Sequence, residues 1–448
     1  LTGESYCKPM SENNLLFKSS CGGAIKGAVR VPGDKSISHR SIMLGSIAEG
    51  VTEIEGFLEG EDSLATLQAF RDMGVVIEGP VNGRVKIFGV GLHGLKPSPG
   101  ALYLGNSGTS MRLLSGLLAG QQFGTELTGD ESLSKRPMGR VAKPLVSMGA
   151  DISTGEGGTP PVRISGGKPL AGISYDMPVA SAQVKSCVLL AGLYAVGETR
   201  LTEPAPTRDH TERMLRGFGY QVDSCGNSIS LRGGGKLIAT EINVPGDISS
   251  AAFFMVLASI TPDSDITLQH VGINPTRVGV INILNMMGAD IAISNEREVG
   301  GEPVADIRVR YAPLKGIAIP ESQVPLAIDE MPALFIAAAC ARGKTVLTGA
   351  EELRVKESDR IQAMADGLDI LGVSVSPKPD GIIIEGGTIN GGKVDSLGDH
   401  RIAMAFAVAA SRARGEVVIE NCANVATSFP DFVELANSVG LPVKMFEV

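Results

Sequence analysis

The sequence predicts an α/β protein of two domains, in which helices lie inside and strands lie outside. Three observations predict this fold class. The chain has 448 residues, more than one hydrophobic core usually organises. One pattern of helices, strands and turns recurs six times along it. The first helix of each copy is apolar nearly all round, so other protein segments must surround it.

Each copy of the pattern contains a turn, an apolar helix, a short strand, a polar loop, a second helix and a strand that follows a glycine. The apolar helices are predicted in SISHRSIMLGSIAEG, SMRLLSGLLAG, AQVKSCVLLAGLYAVG, ISSAAFFMVLASI, MPALFIAAACARG and HRIAMAFAVAASRARG. The second helices are predicted in SLATLQAFRDMG, RVAKPLVSMG, RMLRGFG, INILNMMG, GLDILG and ELANSVG. The closing glycines are Gly74, Gly149, Gly219, Gly288, Gly372 and Gly440. A period near 70 residues is too long for a solenoid of helix pairs, so each unit is a small βαβα-type module that needs neighbours to cover its helices.

The segment Val-Pro-Gly-Asp occurs twice, three units apart. These two turns suit crossings between two globular halves, and a cleft between two halves is where a small ligand usually binds. The predicted organisation is a discontinuous domain of residues 1–32 and 246–448, an inserted domain of residues 33–245, and a hinge at Pro32/Gly33 and Pro245/Gly246.

Composition excludes several classes of function. The net charge of -9 argues against a nucleic-acid partner, which would need a basic stripe. The six cysteines form no CxxC pair and the five histidines are scattered, which predicts a reduced cytoplasmic protein with no metal and no cofactor. No apolar run reaches the roughly 18 residues of a membrane span. The first nine residues lack the pattern of a signal peptide, and Met10 is an alternative start.

Cations and hydroxyls are concentrated where turns meet helix starts. In PGDKSISHR, free helix N-terminal amides, Ser36 and two cations together suit a phosphate or a carboxylate. Further helix starts are predicted in GNSGTSMR, LSKRPMGR, VASAQVKS, TRDHTER, LAIDEMPA, RVKESDR and GDHRIAM. Taken singly, most are explained as caps or solvated faces, and on a helix a salt bridge between Glu357 and Arg360 explains RVKESDR about as well as catalysis does. Taken together, they predict a site for two multiply charged anions, with acid/base chemistry and electrostatic stabilisation.

The motifs PGDKSISHR, GNSGTSMR, KRPMGR, SAQVKS, RVKESDR, DHRIAM and TSFPDF, in this order and spacing, resemble those of the 5-enolpyruvylshikimate-3-phosphate synthase family. The resemblance covers nearly the whole chain. It implies the enolpyruvyl transferase fold, an inside-out α/β barrel in each domain built from three βαβαββ units, usually as a monomer. It also implies transfer of the enolpyruvyl group of phosphoenolpyruvate to the 5-hydroxyl of shikimate 3-phosphate. Both substrates carry a phosphate and a carboxylate, which explains the concentration of cations.

The resemblance also implies which residues bind and react. Shikimate 3-phosphate would be bound by Lys35, Ser36, Arg40, Ser181, Ala182, Gln183, Arg208, Asp329 and Lys356. Phosphoenolpyruvate would be bound by Lys35, Gly108, Arg136, Gln183, Arg360 and Arg401. The implied catalytic roles are proton acceptance by Asp329, proton donation by Glu357 and stabilisation of the tetrahedral adduct by Lys35. The sequence does not fix which acid performs which step.

Two departures from the family pattern stand out. Thr427 replaces a lysine, and Ala182 replaces a serine, of the enterobacterial and plant members. They place the chain in the second class of the family, in which relatives tolerant of the inhibitor glyphosate can carry alanine where this chain has Gly108. Glyphosate is therefore expected to fit the site.

Two alternatives remain open. UDP-N-acetylglucosamine enolpyruvyl transferase shares the architecture, but it carries an asparagine where this chain has Ser36 and a cysteine in the loop that reads GDESLSKRPMGR here. A non-catalytic repeat protein that binds an anion is the other alternative. Against it, the charged residues differ between the units while the apolar pattern repeats.

Overall fold

The computed structural model describes residues 15–447. Predictions about the first nine residues and Met10 lie outside this part of the chain. Within residues 15–447, every helix falls short of the length and apolar character that crossing a bilayer requires. The five cysteines in this range form no disulfide.

Twenty-three strands and fourteen α-helices make up this range. The strands are β1 Leu15–Ser19, β2 Lys26–Val29, β3 Glu49–Glu55, β4 Val76–Val81, β5 Arg84–Val90, β6 Leu102–Tyr103, β7 Thr125–Thr128, β8 Ile152–Ser153, β9 Val162–Ile164, β10 Ser174–Asp176, β11 Glu198–Thr202, β12 Asp223–Cys225, β13 Ser228–Arg232, β14 Glu241–Asn243, β15 Asp265–Gly272, β16 Asp290–Val299, β17 Glu302–Arg310, β18 Lys344–Leu347, β19 Ser374–Lys378, β20 Gly381–Glu385, β21 Ile389–Asp395, β22 Ala413–Glu420 and β23 Val443–Glu447.

The α-helices are α1 Lys35–Ser46, α2 Glu61–Asp72, α3 Gly108–Ala119, α4 Glu131–Ser134, α5 Gly139–Ser147, α6 Ala182–Gly192, α7 His210–Gly217, α8 Ile248–Ile260, α9 Gly279–Met286, α10 Val324–Ala327, α11 Met331–Cys340, α12 Arg360–Ile370, α13 His400–Ala409 and α14 Phe432–Val439. Short 3₁₀ segments lie at Glu156–Gly158, Glu321–Gln323, Glu351–Val355, Ala410–Arg412 and Ala423–Thr427.

The strands form six small sheets. Three have the orders β14-β3-β5-β4, β6-β7-β9-β8 and β10-β11-β13-β12, and three have the orders β16-β17-β15-β2, β18-β20-β19 and β21-β22-β1-β23. Strand β1 lies in the middle of its sheet, antiparallel to both neighbours, with Phe17 opposite Ile419 on one side and Met445 on the other.

The apolar helices lie inside, as the sequence predicts. All residues of α8 are buried, and α8, α11 and α13 pack against one another. In the other half α3 packs against α1 and α6. The buried apolar residues form two clusters, one between Ile37 and Val244 and the other from Phe17 to Val31 and from Ile248 to Val443. The inside-out α/β fold class is confirmed. The domain boundaries stay a prediction, which the two clusters support.

The closing glycine of each unit ends its second helix. All six have left-handed backbone conformations, with φ between 77° at Gly219 and 109° at Gly440. A side chain at Cβ makes this conformation unfavourable, so glycine is the usual residue there. The recurrence that is visible in the sequence is therefore a recurrence of helix ends.

The two Pro-Gly-Asp turns lie side by side. Gly33 and Gly246 form an antiparallel bridge. The amide of Asp34 donates to the carbonyl of Pro245 (2.8 Å), and the amide of Asp247 donates to that of Pro32 (2.9 Å). The two crossings between the halves thus form one short paired ribbon.

Candidate active site

Five of the six apolar helices begin with a side-chain cap, which places their first-turn residues at defined positions. Each cap oxygen accepts a hydrogen bond from an amide of the first turn. The caps are Asp34, Ser107, Ser181, Asp247 and Asp399. The sixth helix, α11, follows Glu330, which makes no such bond. The predicted residues Lys35, Gly108 and Ala182 are accordingly the first residues of α1, α3 and α6.

Asp329 is surrounded by cations from both halves of the fold. Its carboxylate forms ion pairs with Arg208, with Lys356 (Oδ1 to Nζ, 3.5 Å) and with Arg360 (Oδ1 to Nη1, 3.2 Å). Its backbone carbonyl accepts a hydrogen bond from Arg401 Nη1 (3.1 Å). Burial opposes ionisation of Asp329, but Lys356, Arg208 and the other cations outweigh it and hold the pKa of Asp329 well below its usual range. The structure thus brings five predicted residues together.

Glu357 lies beside this group. It pairs with Arg360 Nη2 (2.6 Å) and, across the two halves, with Arg136 Nη1 (3.3 Å). Burial opposes its ionisation, yet Arg360 and Arg136 keep the pKa of Glu357 well below its usual range. The salt bridge between Glu357 and Arg360 that the sequence suggests is present, but the two residues do not share a helix. Glu357 lies between the 3₁₀ segment Glu351–Val355 and α12, because Asp359 caps α12 and fixes its start at Arg360.

The first residue of α3 lies against two guanidinium groups. A Cβ at Gly108 would lie 3.0 Å from Arg112 Nη1 and 3.1 Å from Arg136 Nη1. Arg112 Nη1 donates to Gln183 Oε1 (2.5 Å), and Gln183 Nε2 donates to Thr109 Oγ1 (3.0 Å). Gly108, Arg136 and Gln183 therefore share one neighbourhood, which Arg112 connects.

The start of α1 is held by two carboxylates. Lys35 Nζ pairs with Asp62, and the Lys35 amide donates to Asp247 Oδ2 (3.1 Å). Lys35 also lies close enough to His400 to contribute to the lowering of the His400 pKa.

Other predicted residues lie apart from the Asp329 group. Arg40 is buried, and its guanidinium donates to Thr211 Oγ1 (2.7 Å), Ser186 Oγ (2.9 Å) and the Ser36 carbonyl (2.9 Å). Burial lowers the pKa of Arg40 to about 10, and Arg208 adds to this effect. Among residues 15–447, no hydrogen bond or ion pair joins Lys35, Ser36, Arg40, Ser181 or Ala182 to Asp329.

Sequence reasoning assigned no role to four residues that hold the site together. Asn106 Oδ1 accepts from Arg136 Nη2 (2.7 Å), and Asp399 Oδ2 accepts from Arg360 Nε (2.8 Å). Arg112 and Asp62 are the other two. Asn106, Arg112 and Asp399 lie within the motifs GNSGTSMR and GDHRIAM, so their position was a usable signal. Asp62 lies in none of the motifs, and nothing in the sequence indicated that it would contact the site.

Two lysines of the charged stretches lie elsewhere. Lys135 is exposed and pairs with Glu131 (2.6 Å). Lys185 is buried between Glu203 (3.1 Å) and Glu212 (2.8 Å). Thr427 donates from Oγ1 to the carbonyl of Asn424 (2.7 Å).

No cluster of three or more His, Cys, Asp or Glu side chains suited to a metal ion occurs between residues 15 and 447. The arrangement instead offers five guanidinium or ammonium groups and two carboxylates at one seam. The cations of such a site can bind anions, and its two carboxylates can accept protons from bound groups and donate protons to them.

Comparisons with known proteins agree with this chemistry. The family model for EPSP synthase (3-phosphoshikimate 1-carboxyvinyltransferase) matches residues 20–435. The 3-phosphoshikimate 1-carboxyvinyltransferase of Methylococcus capsulatus is 68% identical over 436 residues, 97% of this chain and 100% of the relative. That of Alkalilimnicola ehrlichii is 68% identical over 95% of this chain and 96% of the relative.

Solved structures match over nearly the whole chain. EPSP synthase from Acinetobacter baumannii is 64% identical, covers 97% of this chain and 100% of its own, and superimposes with a TM-score of 0.88. The enolpyruvyl transferase NikO from Streptomyces tendae is 16% identical over 97% of this chain and 100% of its own, with a TM-score of 0.79, and shows the fold alone. The chain therefore belongs to the EPSP synthase (3-phosphoshikimate 1-carboxyvinyltransferase) family.

Proposed function

We propose that this chain transfers the enolpyruvyl group of phosphoenolpyruvate to the 5-hydroxyl of shikimate 3-phosphate and releases phosphate, in the shikimate pathway. Membership of the family supports this activity, as do the names of the relatives. The observation that carries it is the group of cations around Asp329 and Glu357, to which both halves contribute.

The proposed chemistry has two stages. The 5-oxygen of shikimate 3-phosphate attacks C2 of phosphoenolpyruvate, Asp329 takes the hydroxyl proton, and Glu357 supplies a proton to C3. The C–O bond to phosphate then breaks and its electron pair leaves with the phosphate, while C3 returns its proton to Glu357, which restores the double bond; the proton held by Asp329 goes to the departing phosphate. Lys35 stabilises the tetrahedral adduct.

Substrate binding changes the properties of both acids. Each is held ionised by cations that pair with it in the free protein. Phosphate and carboxylate groups of the substrates would share those cations, and a carboxyl group whose cationic neighbours are neutralised has a higher pKa. The site would thus favour proton transfer only when both anions are present.

We propose the following assignment of binding residues. Shikimate 3-phosphate is bound by Lys35, Ser36, Arg40, Ser181, Ala182, Gln183, Arg208, Asp329 and Lys356. Phosphoenolpyruvate is bound by Lys35, Gly108, Arg136, Gln183, Arg360 and Arg401. The predictions of a monomer and of a cytoplasmic location stay predictions.

The activity is tested by phosphate release from phosphoenolpyruvate with shikimate 3-phosphate, and then with UDP-N-acetylglucosamine. We expect turnover with the first acceptor only. Turnover only with the UDP-sugar would instead support the related enolpyruvyl transferase. No turnover with either would support a non-catalytic anion-binding protein.

Two adjacent residues provide a matched test of the site. Arg136→Ala removes a guanidinium that pairs with Glu357 and should lower kcat/KM for phosphoenolpyruvate at least about 100-fold. Lys135→Ala removes an exposed ammonium from the same loop and should change kcat/KM by less than about twofold. Equal losses in the two variants would contradict the assignment of Arg136.

We also propose that the chain belongs to the second class of the family and still admits glyphosate. Thr427 and Ala182 support the class. In Gly108→Ala the new methyl group would press on Arg112 and Arg136, narrowing the space proposed for phosphoenolpyruvate. The inhibition constant of glyphosate should rise much more than the Michaelis constant for phosphoenolpyruvate.

The control for this variant is Gly139→Ala. Gly139 is the first residue of α5, and a Cβ there meets nothing within 4 Å. Steady-state kinetics with increasing glyphosate should show no change in either constant. A Gly108→Ala variant in which both constants rise equally would defeat the idea.

A further inference from the structure

Arg277 lies at the crossings between the two halves and is bound to carboxylates from three helix starts. It is only 2% exposed. Nη1 donates to Asp34 Oδ2 (2.9 Å), and Nη2 donates to Asp247 Oδ1 (3.0 Å). Nη2 also lies 3.6 Å from Glu330 Oε1. These carboxylates immediately precede α1, α8 and α11.

Two of these carboxylates also accept hydrogen bonds from backbone amides at the start of α1. Asp247 accepts from Arg277 with Oδ1 and from the Lys35 amide with Oδ2. Asp34 accepts from Arg277 with Oδ2 and from the Ile37 amide with Oδ1 (2.9 Å). Each carboxylate therefore uses one oxygen for Arg277 and the other for the first turn of α1.

The planar guanidinium suits this role better than another cation would. Its fork fixes the directions of two carboxylates at once, whereas an ammonium is a point charge. Burial opposes ionisation of Asp247, but Arg277 and Arg401 outweigh it and lower its pKa, so Asp247 remains an acceptor.

We propose that Arg277 is a positioning residue that sets the place of Lys35 at the seam through Asp247 and Asp34. It touches neither substrate in this proposal. The inference rests on the proposed function, in which Lys35 stabilises the adduct. The added element is that one buried arginine, Arg277, connects the paired Pro-Gly-Asp turns to Lys35.

The test combines kinetics with chemical labelling of the whole protein. Arg277→Gln should lower kcat about 10- to 100-fold, because small displacements of a reacting group have effects of this size. Acetylation of lysines by an N-hydroxysuccinimide ester, read by mass spectrometry, should increase at Lys35 at least about threefold relative to exposed Lys135, because α1 no longer starts at a fixed place.

A double-mutant cycle shows whether Arg277 acts through Asp247. If it does, Arg277→Gln combined with Asp247→Asn should lower kcat no more than about threefold beyond the worse single variant. Multiplying effects would overturn the proposal. So would a folded Arg277→Gln protein with wild-type kcat and wild-type labelling of Lys35.

Two further variants keep the test decisive. Arg213→Gln is the matched control: Arg213 also connects the halves, because it donates to the Gly301 carbonyl (3.0 Å) while it pairs with Asp209 of its own half (2.8 Å), and it does not reach Lys35. It should change neither readout. If Arg277→Gln does not fold, Arg277→Lys keeps the charge and should lose nearly as much activity. An inactive wild type would defeat the proposed function alone, since labelling does not depend on turnover.

Discussion

His400 shows how the surroundings of one residue can set the pH range of stability. It is buried at the start of α13, next to Arg401. Burial, and then Arg401, lower the pKa of its imidazole from 6.5 to about 3, although Asp399 acts in the opposite direction. His400 is therefore uncharged in the folded protein at neutral and mildly acidic pH.

This shift predicts a pH dependence with a definite sign. At pH 5 the unfolded chain binds a proton at His400 and the folded protein does not, so the contribution to stability is complete above pH 6.5 and falls as the pH approaches 3. Between pH 7 and pH 5 the loss from this residue is about 2 kcal/mol. His400→Gln should lose that much less of its unfolding free energy than wild type, measured by urea denaturation at both pH values. Parallel losses would contradict the assignment.

At the scale of residues, the sequence showed which segments carry charged side chains better than it showed which of these side chains pair with one another. Lys356, Arg360 and Arg401 were named from their motifs, and the structure places them around Asp329. Lys185 belonged to a charged stretch of the same kind, but the fold buries it between Glu203 and Glu212. Local sequence does not show which way a helix faces, and these acids lie 18 and 27 positions beyond the lysine.

At the scale of elements, the clearest sequence signal was the end of the second helix in each unit. Gly288 is an informative example, because its φ of +92° disfavours a side chain and yet a Cβ there would meet nothing within 4 Å. Backbone conformation alone therefore decides the effect of a substitution at this position.

Gly288→Ala should lower the unfolding free energy by about 1 to 2 kcal/mol through this conformation. Activity should not change. Gly387→Ala is the matched control, since its Cβ also meets nothing within 4 Å and its φ lies outside the left-handed region. It should remain within about 0.5 kcal/mol of wild type. Equal destabilisation of the two variants in urea denaturation would contradict this explanation.

Some elements could not be predicted in the same way. The helices α4 and α10 have four residues each, which is too short for a 3.6-residue periodicity to appear. RVKESDR looked helical because its charges are spaced like a helix face, but the Asp359 cap starts α12 at Arg360. The Asp359 side chain accepts a hydrogen bond from a first-turn amide of α12, which fixes where that helix begins. The spacing of charges does not reveal where such a cap forms.

At the scale of the whole molecule, ion pairs join the rims of the two halves. Arg140 Nη1 lies 3.4 Å from Glu352 Oε1, with the side chains 44% and 50% exposed. An exposed pair of this kind contributes about 0.2 to 1 kcal/mol. The Arg140–Glu352 pair is therefore expected to favour the close approach of the two halves, but to contribute too little free energy to decide whether the protein folds.

Charge reversal tests this pair. Arg140→Glu should lower kcat/KM for both substrates about three- to fivefold, and the exchanged double variant Arg140→Glu, Glu352→Arg should restore most of it. Salt near 1 M should reduce the difference, because it screens exposed charges over about 3 Å. A double variant as impaired as the single one, in steady-state assays at low salt, would show that the contact between rims does not matter.

Pairings between halves were the least accessible part from sequence. Arg136 and Glu357 are 221 positions apart and Arg208 and Asp329 are 121 apart. The repeat count, the two Pro-Gly-Asp turns and the apolar helices were sufficient for the architecture, because each is a local pattern. Contacts across the seam depend on how two complete halves meet, which no local pattern encodes.

The central position of β1 has a consequence for how the protein is made. Its partners β22 and β23 are translated about 400 residues after it, a delay of roughly 20 to 80 s at the usual rate of 5 to 20 residues per second. During that interval residues 33–245 emerge from the ribosome with all the strands from β3 to β14, while Leu15–Ser19 has no partner to join. Nascent chains should therefore resist protease between residues 33 and 245 well before they resist it in the strands of the sheet β21-β22-β1-β23.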